Sequence, residues 1–258
     1  MMTVDDLCRA MDAIAPTRLA EGWDNVGLLV GDRAAPLDRV LLAIDLTRPV
    51  LDEALSLGCT AVIAYHPVIF SGLKRVLSGS MAYELIRHGV AVYSPHTALD
   101  VADGGTNDVL ADAVEMTARA PLRVTVAAEG LGLGRVGPVI PIERAALLAK
   151  VRSALAIDHL LVAGPMEGEV TRVAVGAGAC GDLLDEVIAS GAGLYVTGEM
   201  RHHDALRAAS AGVTVACALH SNSERRTLSV LAGRLSSALP GLGVLLSSAD
   251  RDPFRVAG

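Results

Sequence analysis

Two histidine–carboxylate pairs of equal spacing mark this chain: His96 with Asp100 in "SPHTALDVADGG" (Ser94–Gly105), and His220 with Glu224 in "ALHSNSERR" (Ala218–Arg226). Each pair follows an apolar run, "GVAVY" or "GVTVAC", that reads as a buried strand. Neutral imidazole and carboxylate suit Zn, Mn, Fe or Ni, whereas thiolates would select softer sites. Two histidines and two carboxylates leave coordination positions open for water or substrate, as catalysis requires. A carboxylate can also bridge two ions about 3.5–4 Å apart. Structural explanations compete for each pair taken alone. "SNSE" fits a capping box, with Ser221 as N-cap and Glu224 at N3 of the helix "RRTLSVLAGRL". His96 and Asp100 fit a solvated loop. Their recurrence in matching contexts favours a common cause, because two caps need not both carry a preceding histidine.

The elements that position these pairs repeat. "VLLAIDLTRPVLDEALSLGCTAVIAYHP" (Val40–Pro67) aligns without a gap on "VAVGAGACGDLLDEVIASGAGLYVTGEM" (Val173–Met200). Leu51-Asp52-Glu53 falls on Leu184-Asp185-Glu186, and Gly58 falls on Gly191. Each copy reads as strand, turn, helix with acids in its first turn, glycine C-cap, strand. The correspondence continues to the two pairs with one residue of slippage. Ligand sites in open α/β sheets lie beyond the carboxyl ends of the strands. Tyr65-His66, His96…Asp100, Gly198-Glu199 and His220…Glu224 all follow predicted strands, so a cleft between pseudo-symmetric halves is expected. The fold class is α/β: two pseudo-symmetric α/β units with mixed sheets flanked by helices. The expected division is a first unit over 1–120, with 225–258 as a further candidate segment of it, and a second over 121–258, each holding half of the metal site. "RVTVAAEGLGLGRVGPV" reads as a hairpin, followed by a helix near Glu143–Ala156.

Composition narrows the class. A length of 258 residues suits one large domain or two smaller ones. The chain is 52% hydrophobic but only 3% aromatic, so Ala, Val and Leu must build the core. A net charge of −7 with scattered arginines, and only Lys74 and Lys150 as lysines, gives no strong nucleic-acid signal. Cys8, Cys59, Cys180 and Cys217 show no CxxC spacing and read as reduced thiols. "MMTVDD" has acids where a signal peptide needs cations. Ala54–Leu73 is free of Asp, Glu, Lys and Arg, but Gly58 and Tyr65-His66-Pro67 argue against a membrane span. A soluble, cytoplasmic protein is expected.

Other motifs carry less. "GAGACG" (Gly176–Gly181) meets the G-x-G-x-x-G fingerprint after a strand, with Glu199 downstream, yet the first copy of the repeat has "DLTRPV" there. "GLGRVG" (Gly132–Gly137) runs into Pro138 and another strand. "GEMRHHDAL" contains E-x-x-H (Glu199, His202), a ligand motif of carboxylate bundles, in a chain that is no four-helix bundle. "EGWDNVGLLVG" (Glu21–Gly31) holds the single tryptophan, and its Asp24 and Asn25 are polar enough to line a cleft. No G-x-S-x-G elbow occurs, so nucleophilic side-chain catalysis is poorly supported.

"LAEGWDNVGLLVG", "AYHPVIF", "SPHTALDVADGGTND", "VTGEMRHHDA" and "HSNSERRTL" occur in order from Leu19 to Leu228. Together they resemble the Nif-three-like family, also labelled GTP cyclohydrolase 1 type 2, in its short form without a mid-chain inserted domain. The resemblance implies two similar α/β domains with a dinuclear metal site in the cleft between them. It also implies a homohexamer, a trimer of dimers, with the sites facing an internal cavity. Transferred by position, the ligands are His66, Asp100, His220 and Glu224, with His96 and His203 near the site. Many relatives have two histidines before the proline, whereas this chain has Tyr65-His66. A phenol is a poor ligand unless ionised, its free pKa being about 10, so one ion and two ions per chain both stay open.

The family label implies opening of the GTP imidazole ring with release of formate. The expectation is therefore a metal-dependent hydrolase acting on a nucleotide-like small molecule. His96 is then the candidate proton carrier and Tyr65 a candidate hydrogen-bond donor to substrate or water. The alternative is a non-catalytic protein for metal storage or delivery, or a regulatory interaction scaffold.

Overall fold

The computed structural model describes residues 1–256. Two compact units emerge, Met1–Ala102 with Leu228–Arg251, and Asp103–Thr227 with the residues from Asp252 on. The first contains α1 (Val4–Ile14), β1 (Gly27–Val30), β2 (Arg39–Ala43), α2 (Arg48–Ser56), β3 (Ala61–Ala64), α3 (Met81–His88), β4 (Ala91–Ser94), α4 (His96–Val101) and, near the C-terminus, β12 (Gly243–Leu246). Its sheet runs β1-β4-β3-β2-β12. Strands β12, β2, β3 and β4 are parallel, and β1 closes the edge antiparallel to β4. The mixed sheet flanked by helices is the class the sequence implied.

The second unit contains α5 (Thr106–Ala113), β5 (Arg123–Val126), β6 (Leu131–Leu133), β7 (Arg135–Glu143), α6 (Arg144–Ala154), β8 (Leu161–Ala163), β9 (Glu169–Gly176), α7 (Leu184–Ala189), β10 (Leu194–Thr197), α8 (His202–Ser210) and β11 (Thr214–Cys217). Helix α9 (His220–Ala238) begins in this unit and continues into the segment assigned to the first. The sheet order is β7-β9-β10-β11-β8, with β9, β10 and β11 parallel and β8 antiparallel to β11. This repeats the β2-β3-β4-β1 arrangement, as the sequence repeat requires. The outer neighbours differ: β12 is parallel to β2, whereas β7 is antiparallel to β9. The expected hairpin is β5 with β6, and the expected helix after it is α6.

Strands β3, β4, β10 and β11 are buried along their whole length, as expected where both faces of a sheet are covered. In the second unit, Val173, Val175, Leu194 and Val196 pack with Leu147, Leu148 and Val151 of α6. The alternate residues Ala174, Tyr195 and Val215 face Leu184 and Val187 of α7 and Ala208 of α8. In the first unit, Leu41, Ala43, Val62 and Val92 pack against Val50, Leu51 and Ala54 of α2 and Leu85 of α3. With so few aromatic rings, these aliphatic contacts carry the burial energy, about 25 cal/mol per Å² of apolar surface. Gly58 and Gly191 follow α2 and α7 with φ of +68° and +72°, the left-handed C-cap the repeat predicted. Among the described residues no helix is long and apolar enough to cross a membrane, and Ala54–Leu73 instead spans the end of α2, β3 and the loop after it.

The segment after β12 is pinned to the carboxyl end of β2. Asp250 accepts the Ile44 N–H at 2.8 Å. Glu53 accepts from the hydroxyls of Ser247 and Ser248 and from the backbone N–H groups of Ser248 at 2.9 Å and Ala249 at 3.2 Å. The Ser247 hydroxyl above all, then that of Ser248, brings the Glu53 carboxyl from its ordinary 4.5 down to about 2. Because the folded pKa is depressed, this contribution to stability is complete above pH 4.5 and drains away as the pH falls toward 2. Glu53→Gln is expected to flatten the decline of unfolding free energy over that interval in urea titrations. At neutral pH it is expected to speed hydrogen exchange at the Ser248 and Ala249 amides.

Candidate metal centre

In the first unit β2, β3 and β4 run parallel and in register, Val40 beside Ala61 and Ala61 beside Ala91. Their carboxyl ends therefore deliver Asp45, Tyr65-His66 and His96 side by side. The ladder extends past β3, with the N–H of Tyr65 donating to Ala43 O at 2.9 Å and that of His66 to Ile44 O at 3.0 Å. His66 Nδ1 lies 2.9 Å from Asp45 Oδ1, and His96 Nδ1 lies 2.8 Å from Asp24 Oδ1. Each contact puts the ring proton on Nδ1 and the lone pair on Nε2, the form that ligates a metal or accepts a proton. The rings of His66 and His96 are 5.4 Å apart, and Tyr65 contacts both, at 5.4 and 6.0 Å.

Asp24 has a fully buried side chain. It also accepts from the Thr97 amide at 3.1 Å and the Thr97 hydroxyl. Burial raises its carboxyl, but the hydrogen bonds from His96 and Thr97 and the charge of His96 outweigh that and hold it below its ordinary 3.8. It is an anion at neutral pH. His96 sits at φ +29°, a strained backbone for a side-chain-bearing residue, where the chain turns directly from β4 into α4. The expected solvated loop is thus a helix, and the spacing of four sets His96 and Asp100 one turn apart. Tyr65 is completely buried, and its hydroxyl donates to Asp100 Oδ1.

The second unit places its histidine and carboxylate on one helix. Leu219 takes φ +71° and α9 starts at His220, so His220 and Glu224 share one helix face. His220 Nε2 is 3.4 Å from Glu224 Oε1, and its Nδ1 is 3.2 Å from Glu199 Oε1. The capping box does not form, because the helix begins at His220, two residues earlier than that motif needs. The Ser221 hydroxyl donates to Asp252 at 2.8 Å instead, and Glu224 is buried beside His220.

The glycine motif finds its purpose here. A Cβ on Gly178 (φ +67°) would lie 2.7 Å from Glu224 Oε1 and 3.3 Å from His220 Nε2. A Cβ on Gly198 would lie 2.9 Å from His220 Cα and from Ser223 Oγ. The Ala177 and Gly178 N–H groups donate to Asn107 Oδ1 at 3.0 Å and Ser223 Oγ at 2.8 Å. Those amides are turned inward, away from any pyrophosphate, and a Cβ on Gly176 would meet the Tyr195 hydroxyl at 2.4 Å. "GAGACG" is therefore a cradle for the Glu224 carboxylate and the His220 ring rather than a dinucleotide fingerprint. Glu199 of the E-x-x-H motif turns to His220, while His202 and His203 are exposed in the first turn of α8 with rings 5.3 Å apart. A cavity of about 420 Å³ lies beside Glu199, lined by Ala179, Gly181, Asp182, Met200 and Arg201.

Imidazole and carboxylate donors, with backbone cleared around them, fit a borderline divalent cation. Thiol chemistry is disfavoured: all four cysteines are free, and burial, with Glu199 nearby, pushes the Cys217 thiol up to about 11. Sequence reasoning overlooked Asp45, Asn107, Gly178 and Ser223. The repeat held a signal for two of them, because Asp45 aligns with Gly178.

A pair of α/β units, each offering histidine and carboxylate at the carboxyl ends of parallel strands, defines the class of protein. The chain belongs to the family described as Duf34/NIF3 (NGG1p interacting factor 3), which it matches over residues 2–253. It is 35% identical to the Protein NIF3 homolog of Schizosaccharomyces pombe, over 96% of this chain and 96% of that protein. It is 29% identical to a GTP cyclohydrolase 1 type 2 homolog of Clostridium acetobutylicum, over 98% of each. Its fold matches the crystal structure of a Bacillus cereus protein related to NIF3, with a TM-score of 0.89, 21% identity and 99% of both chains covered.

Gly178→Ala and Gly58→Ala separate backbone strain from the cradle. Both positions have φ near +67°, but nothing lies within 4 Å of a Cβ at Gly58. Gly58→Ala is expected to cost about 1 kcal/mol in urea unfolding, the ordinary left-handed penalty. Gly178→Ala is expected to cost more and, alone of the two, to lower bound metal as read by elemental analysis.

Proposed function

We propose that this protein is a metal-dependent hydrolase of a nucleotide-like small molecule, of the GTP cyclohydrolase type after which some relatives are named. The ligands in this reading are His66, Asp100, His220 and Glu224, holding one or two ions of Zn, Mn, Fe or Ni. His66, His220 and Glu224 offer ligand atoms of the kinds such an ion takes. The observation that carries the reading is the pairing of each strand-end imidazole with a carboxylate at Nδ1. That arrangement fixes tautomer and ring orientation and raises ligand basicity.

A divalent ion, when bound, supplies Lewis acidity and lowers the pKa of coordinated water. The chain's own residues do the rest. Asp24 locks the His96 ring with its proton on Nδ1, so His96 takes a proton at Nε2 and returns it to the leaving group. The Tyr65 hydroxyl holds Asp100 at Oδ1. Asp45 keeps the His66 proton on Nδ1. In the same reading the protein is cytoplasmic and assembles as a hexamer, a trimer of dimers, which sedimentation would show as six times the chain mass of 26.6 kDa.

Tyr65 supports a second reading, a non-catalytic metal-delivery or regulatory scaffold, because its hydroxyl is spent on Asp100 where a histidine would offer a lone pair. A relative from Saccharomyces cerevisiae, 34% identical, is named NGG1-interacting factor 3.

Elemental analysis of protein purified without chelator or affinity metal, with formate release from GTP, tests both. Bound metal is expected to fall in His220→Ala. Tyr65→His is expected to raise it if the native chain holds a single ion. His96→Ala is expected to keep the metal and lower kcat by about 100-fold or more, the usual scale for a lost proton carrier. Retained metal without turnover of any nucleotide would leave the scaffold. No metal after supplementation with Zn, Mn and Fe would remove both.

A further inference from the structure

The chain's single tryptophan is 60% exposed, and Phe70 beside it is 58% exposed, in a protein with only 3% aromatic residues. Exposing two large rings forfeits burial energy that this aliphatic core could use. The exposure is imposed by the backbone on either side. The Glu21 N–H donates to the Thr97 hydroxyl at 3.0 Å, and Asp24 is bonded to His96 and Thr97. The Asn25 side chain donates to Ile69 O at 2.6 Å, which ties the tryptophan's turn to the residue preceding Phe70. Trp23 is thus the tip of a turn anchored on the same helix start that carries His96.

Its ring centroid lies 5.9 Å from Phe70 and 6.0 Å from His96, at interplanar angles of 44° and 76°. Neither contact is a parallel stack, so neither neighbouring ring lies flat against the indole. Phe70 belongs to a stretch without helix or strand between β3 and α3, the kind of long connection that commonly carries binding residues.

We propose that Trp23, with Phe70, is a stacking platform for the planar nitrogen heterocycle of a nucleoside-like ligand, placing that ring beside His96. This deepens the proposed function and rests on it for the identity of the ligand class. Indole is the best of the side-chain faces for such a ring, and stacking tolerates different bases because every base has a π-face.

Trp23 makes its own probe, because no other tryptophan contributes emission. Guanosine, GTP and inorganic triphosphate would be titrated into the full chain, with and without metal, while its fluorescence is read. Guanosine and GTP are expected to quench it, and triphosphate is not. Phe70→Leu, which keeps the probe, is expected to weaken guanosine roughly tenfold, and Trp23→Leu, read by calorimetry, at least as much. Trp23→Phe is expected to retain most of the affinity, and thermal unfolding checks that each variant is folded. Quenching without turnover supports the platform while removing the hydrolase reading. GTP turnover with an unchanged KM in Trp23→Leu overturns the platform and leaves that reading intact. Emission that changes with protein concentration but not with nucleoside also overturns it, in favour of contact between copies of the chain.

Discussion

An imidazole presents a lone pair in a fixed direction when its other nitrogen is held, and this chain meets that constraint three times with a carboxylate. Asp45 holds His66, Asp24 holds His96 and Glu199 holds His220. Each pairing joins residues far apart in sequence, so the sheet has to bring them together. Parallel strands in register do so, because they end level and deliver their next residues side by side. Much else follows from keeping those ends fixed. Ser247–Asp250 is pinned to Glu53 and Ile44 beside Asp45, Thr97 braces Asp24, and Asn107 holds the glycine loop.

The two units solve the same problem with their roles displaced by one strand. In the first, β2 supplies the carboxylate and β3 the histidine it orients. In the second, β10 supplies the carboxylate, Glu199, and the histidine comes from the end of β11. The aligned positions show the trade: Asp45 corresponds to Gly178, Tyr65 to Gly198 and His66 to Glu199. Both glycines are dictated by the neighbouring helix. α9 brings Glu224 within 2.7 Å of where a Gly178 Cβ would be, and its first turn sits 2.9 Å from where a Gly198 Cβ would be. A duplicated unit that kept Asp and Tyr at these positions could not seat α9 where it is.

The repeat, the strand-end location of His66, His96 and His220, and the α/β class were legible because they rest on periodicity and on spacing within short windows. Glu224 was ambiguous, because the residues that make a capping box also make a histidine–carboxylate pair on one helix face. Only the starting residue of α9 separates the two, and a helix boundary is the least sharply encoded feature of a sequence. Glu199 was legible as a strand-end carboxylate and Asp24 as a cleft-lining one, but not the ring that each holds, and Asp45 looks like an ordinary turn acid until the sheet places it against His66. "GAGACG" was rightly discounted as a dinucleotide fingerprint: its glycines are needed for close approach, but to a buried carboxylate and not to a phosphate.

Tyr65 shows how such a constraint can move without being lost. Its side chain is fully buried and its hydroxyl donates to Asp100, while its carbonyl accepts from Ser94 Oγ at 2.8 Å. A phenol brings a donor where an imidazole would bring a lone pair, and it reaches farther from the backbone. With Asp100 as a ligand in the proposed site, the donor holds one oxygen of its carboxylate. The residue then acts through Asp100 instead of binding directly. In the proposed site the strand-end chemistry of this unit rests on His66, His96 and Asp100, which Asp45, Asp24 and Tyr65 hold in place.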